Sequence, residues 1–111
     1  MIEMFACLLF FHFLLDYPLQ GDFLSKAKNH IAPIQHVPWY QAMFAHTAMH
    51  GFAVYWITNL WFLGAAEMLI HWWADYNKCK GELTYNVDQA THVVCKLMWA
   101  CLAVYVFVGA A

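Results

Sequence analysis

Four pairs of side chains recur in this chain at a spacing of four residues: His12 with Asp16, His46 with His50, His71 with Asp75, and Asp88 with His92. On a helix, residues four apart are separated by about 40° of rotation, so each pair presents both side chains to a common point. Imidazole nitrogens and carboxylate oxygens are metal ligands, and such a pair offers two of them from one helix. Mixed nitrogen and oxygen donors suit zinc, iron or manganese better than calcium or a thiol-loving metal. An ion held this way would activate water for hydrolysis, with a spare carboxylate as general base. Glu67 extends the third row to Glu67, His71 and Asp75. The stretch after Asp16 supplies Gln20, Asp22, Lys26 and Asn29, read as the mouth of the site, where a lysine would attract an anionic headgroup.

The elements that must position these residues are written in a very apolar chain. Of 111 residues, 64% are hydrophobic and 11% charged, which points to a bilayer rather than to water. No Asp, Glu, Lys or Arg occurs from Trp39 to Ala66, a run longer than the roughly 20 residues that cross a membrane. The fold class expected is all-α: a polytopic integral membrane protein, a four-helix transmembrane bundle with a short polar helix after the first span. It forms a single domain over residues 1–111, with spans at about 2–17, 39–57, 60–77 and 87–109. Pro18 stops the first helix, Asp22 caps the short one, and Pro38 opens the second span. The long uncharged run breaks at Thr58-Asn59, as a hairpin rather than one tilted helix. Asn86-Val-Asp-Gln89 reads as a capping box.

Lys26 and Lys28 lie in one loop and Lys78 and Lys80 in another, and a four-crossing topology puts both on the cytoplasmic side. Both termini then lie outside the cytoplasm, at a bacterial inner membrane, and all four pairs share one membrane half. Lys96 would snorkel or pair with an acid. Glu3, with no basic residue before the first apolar run, argues against a cleavable signal peptide. The four cysteines lack zinc-type spacing and read as small buried hydrophobes. A net charge of -2 offers no basic patch, so nucleic acid is not an expected partner. The expected partners are the lipid bilayer and either a second copy or a host membrane protein.

The run His12-Phe-Leu-Leu-Asp16-Tyr-Pro-Leu-Gln20-Gly-Asp22, then Ala45-His46 and His50, His71-Trp-Trp-Ala-Asp75, and Asp88-Gln89-Ala-Thr-His92, resembles the small bacterial and phage membrane proteins catalogued as domain of unknown function 3307. The resemblance implies a polytopic membrane protein, often phage-encoded, and supplies no activity. Three functional readings follow from the residues. One is a metal-dependent intramembrane hydrolase of a lipid or phosphate ester, using His12, Asp16, His46, His50, His71, Asp75, Asp88 and His92. Another is a non-enzymatic membrane module that binds or perturbs a host complex, its polar pairs acting as interhelical glue. The third is a proton or ion pathway through the histidines.

Overall fold

The computed structural model describes residues 1–108, and every regular element among them is helical. Helix α1 (Ile2–Asp16) ends just before Tyr17 and Pro18, because the proline ring excludes the preceding residue from helical geometry. Helix α2 (Gly21–Ala27) leaves it at an angle of 84°. Gln20, not Asp22, is its N-cap, and Asp22 sits exposed in the first turn.

Helix α3 (Trp39–Thr58) and helix α4 (Trp61–Lys80) form a hairpin. The turn is built by Thr58, whose Oγ1 donates to Val54 O at 2.7 Å and accepts from Leu60 N at 3.2 Å. Asn59 then takes the left-handed conformation at φ 59°, which its short polar side chain tolerates. Gly81, at φ 87°, closes α4 in the same way, with Lys78 and Lys80 placed against the negative end of the helix dipole. Helix α5 (Tyr85–Cys101) is capped by Thr84, which accepts from Val87 N. The capping box expected at Asn86–Gln89 therefore lies inside the helix, leaving Asp88 and Gln89 free for other contacts. Past Cys101 the winding loosens to a π-helix over Leu102–Val108. The last residue of the fourth expected span, 109, lies outside the described residues.

Four membrane crossings are not what this fold provides. Among the described residues, only Tyr85–Phe107 is both long and apolar enough to span a bilayer. The α1–α2 pair reaches that length only as a sharply bent unit. Helices α3 and α4 have 20 residues each but fail on composition, since α3 carries His46, Thr47 and His50 and α4 carries Glu67, His71 and Asp75. The absence of formal charge from 39 to 66 hid this, because uncharged histidine, threonine and asparagine are still polar. With one candidate span, the lysine loops no longer assign a side to the termini.

Packing divides the molecule lengthwise. One end holds the apolar core of Leu8, Val54, Leu63, Cys95, Trp99, Ala100 and Ala103. The other end, reached by the C-terminal half of α1, the middle of α3, the C-terminal half of α4 and the start of α5, buries the histidines and carboxylates. The hairpin helices touch backbone to backbone at Gly51 and Gly64. A Cβ on Gly51 would lie 2.7 Å from Gly64 O, and one on Gly64 would lie 2.6 Å from Gly51 O. Gly51→Ala or Gly64→Ala is expected to push α3 and α4 apart and to cost about 1–3 kcal/mol. A lowered midpoint in chemical denaturation would show this, and an unchanged midpoint would mean that the crossing relaxes freely.

Candidate metal centre

Helices α1, α3, α4 and α5 bring their pairs into three adjoining groups: Asp16, His46, His50 and His71; His12, His71 and His92; and Asp75, Asp88 and His92. Asp16 Oδ1 lies 2.9 Å from His50 Nε2, 3.3 Å from His46 Nε2 and 3.7 Å from His71 Nε2. The His46 and His71 Nε2 atoms are 3.2 Å apart. Ligand atoms at the corners of a tetrahedron around an ion, with bonds of roughly 2.0–2.1 Å, are separated by about 3.3 Å. These separations of 2.9–3.7 Å are close to that value, and the four groups can hold a metal ion.

The surroundings aim these atoms inward. His71 Nδ1 is 3.1 Å from Glu67 Oε1, so its N–H donates to the carboxylate and its Nε2 faces the cluster. Glu67 is itself held by Lys96 Nζ at 2.5 Å and by Trp99 Nε1 at 2.6 Å. Burial alone would raise the Glu67 pKa, but the Lys96 ammonium and His71 outweigh it and keep the acid well below its ordinary value. His50 is pushed well below the ordinary histidine value, first by burial and then by His71, which leaves its ring neutral and its lone pair available. Asp75 is driven upward by burial and more strongly downward by the imidazoles of His71, His46 and His92, so it stays ionised.

A second group adjoins the first. His92 Nε2 lies 3.2 Å from Asp88 Oδ1 and 3.5 Å from Asp75 Oδ1. The three aspartates share one pattern: donors occupy Oδ2, and Oδ1 faces imidazole with no hydrogen-bond partner. Gln89 Nε2 donates to Asp16 Oδ2 at 3.1 Å and to Asp88 Oδ2 at 3.4 Å. Lys78 Nζ also reaches Asp88 Oδ2, at 3.2 Å, and Lys28 Nζ reaches Asp75 Oδ2 at 2.5 Å. His12 is drawn slightly aside, its Nε2–H donating to Gln89 Oε1 at 3.1 Å while its Nδ1 is buried without a partner.

All eight residues expected at the site thus converge, whereas the expected mouth does not form. Gln20 donates to the backbone carbonyl of Asp16, and Asn29 Oδ1 accepts from Ile31 N and Ala32 N, organising its own turn. Asp22 and Lys26 are exposed. Lys28, two residues further on, is the lysine that enters. Nothing in its spacing signals this, because the turn after α2 sets its direction. Gln89 was legible only as a cap, although its place beside Asp88 on a helix start made a shared role available. His30, in the loop between α2 and α3, stacks its ring on Tyr76, with centroids 3.7 Å apart. The four cysteines are free, and only Cys95 is buried. A groove of about 560 Å³ between α1 and α3 is lined by apolar residues such as Phe11, Met49 and Trp56 and includes none of the metal-ligand candidates.

No family model, curated protein or solved structure matches the chain, so its chemistry rests on this geometry.

Glu67→Gln removes the charge partner of a buried lysine and is expected to cost about 3–5 kcal/mol. The depressed folded-state pKa of Glu67 also sets a pH dependence. Its contribution is complete above the ordinary value of 4.5 and is lost as the pH falls below it. Thermal unfolding across acid pH should show a wild-type loss of stability that is smaller in the Gln variant. Equal acid slopes in the two proteins would show that Glu67 is not the linked group.

Proposed function

We propose that the protein binds a divalent transition metal between Asp16, His46, His50 and His71 and uses it to hydrolyse a phosphate ester. The observation that carries this reading is the close approach of Asp16 Oδ1 and the His46, His50 and His71 Nε2 atoms, at 2.9–3.7 Å, with His71 oriented from behind by Glu67; hydrolysis requires the ion to accept water beyond these four groups. Zinc, iron and manganese fit the nitrogen and oxygen donors. When bound, such an ion lowers the pKa of water and polarises a phosphoryl oxygen. The attacking water forms a bond to phosphorus as the bond from phosphorus to the ester oxygen breaks. One water proton passes to a carboxylate of the cluster and from there to the departing alkoxide. Lys28 and Lys78 place two ammonium groups beside the centre, which favours an anionic substrate.

A bilayer setting is supported by the apolar helix Tyr85–Phe107 and by large apolar side chains that face outward, among them Phe10, Trp56, Trp61, Leu69 and Trp73. A lipid phosphate ester is then the nearest substrate.

A second reading, a closed structural ion that locks the helices together, is favoured by burial. None of His46, His50 and His71 is more than 1% exposed, and closed shells are typical of structural ions. Elemental analysis paired with a phosphate-release assay on phosphatidic acid vesicles separates the two. Hydrolysis is expected in the wild type, with His46→Ala losing metal and at least about 100-fold in rate. A metal that holds the fold without any hydrolysis would decide for the structural ion, and a wild type without stoichiometric metal would remove both.

A further inference from the structure

An ion held by Asp16, His46, His50 and His71 leaves donors over. Asp75 Oδ1, Asp88 Oδ1 and His92 Nε2 lie outside the first shell, belong to residues at most 1% exposed, and have no hydrogen-bond partner. Two carboxylate oxygens face one imidazole nitrogen, at 3.2 and 3.5 Å. A single N–H on that nitrogen could satisfy only one of them well, and a buried unpaired acceptor is costly. A cation among the three would satisfy all of them at once. Their Oδ2 oxygens are already supported, by Lys28 on Asp75 and by Lys78 and Gln89 on Asp88, as outer partners support metal ligands.

Asp75 belongs to both groups. Its Oδ1 faces His92, while its Oδ2 lies 3.2 Å from His46 Nε2 and 3.6 Å from His71 Nε2. A carboxylate with one oxygen toward each of two clusters spans the roughly 3.5–4 Å that separates the ions of two-metal hydrolytic centres.

We infer that the centre is dinuclear, with a second divalent cation bound by Asp75, Asp88 and His92 and with Asp75 bridging it to the ion at Asp16, His46, His50 and His71. The inference rests on the proposed metal binding at the first cluster and adds a second site to it. Two divalent ions together with Lys28 and Lys78 outweigh the charge of Asp16, Asp75 and Asp88. The substrate class that fits this surplus is a phosphate monoester, whose dianion can place one oxygen on each ion.

The test loads the 111-residue chain in detergent with manganese, removes free ion, and measures metal per chain together with the electron paramagnetic resonance spectrum. About two ions per chain and an exchange-coupled spectrum are expected for the wild type. His92→Ala, and independently Asp88→Asn should the first variant fail to fold by circular dichroism, should each retain about one ion with the spectrum of an isolated centre. A wild type with a single ion that survives in both variants would overturn the second site while leaving the first. Two ions retained in both variants would overturn its placement. No bound ion at all would overturn the first site along with it.

Discussion

Asp75 touches nearly every element that builds the polar end of the molecule. Lys28, at the exit of α2, bonds its Oδ2, His46 approaches from α3, His71 lies one turn back on its own helix, and His92 comes from α5. A carboxylate this deeply buried persists as an anion only when cationic or donor groups surround it, and here they come from separate helices. Without that mutual satisfaction the helices are held at this end by only a few buried apolar side chains, such as Ala27, Met43 and Ala74, since the main apolar core lies at the other. Asp16 and Asp88 repeat the logic through Gln89, whose single amide serves both carboxylates and accepts from His12.

The same arrangement explains the distribution of polarity. Five histidines, Glu67, Asp75, Asp88 and two lysines are inside, while many large apolar side chains, among them Phe10, Phe44, Trp56, Trp61 and Leu69, face outward. The buried site and the Glu67, Lys96 and Trp99 cluster behind it form one continuous polar seam, from Lys28 near the end of α2 to Trp99 late in α5. Polar residues that lower the hydropathy of α3 and α4 are therefore the ones that make the centre. Neither helix could become apolar enough to cross a membrane without losing its contribution to the site.

The mouth residues illustrate where local reasoning ends. Gln20, Asp22, Lys26 and Asn29 follow the His12–Asp16 pair in sequence and invite assignment to its rim. Pro18 and the 84° bend carry them away from the helical face instead, onto backbone groups and the surface. Lys28 enters because the chain turns back on itself after Ala27, a consequence of how α2 packs on α3.

By itself the sequence determined the helices and the pairing of chemistry along them. Apolar runs broken by Pro18, Asn59 and Gly81 mark where helices stop, and i, i+4 spacing puts His12 with Asp16 or His71 with Asp75 on one face whatever the surroundings. Local covalent geometry is enough for both. Tertiary structure alone decided that the four pairs meet, that Gln89 and Lys28 join them, that the Oδ1 atoms are left facing imidazole, and that among the described residues only one helix is long and apolar enough to cross a bilayer. Those outcomes depend on the angles at which helices cross and on contacts between residues dozens of positions apart. Neither spacing nor composition encodes them locally.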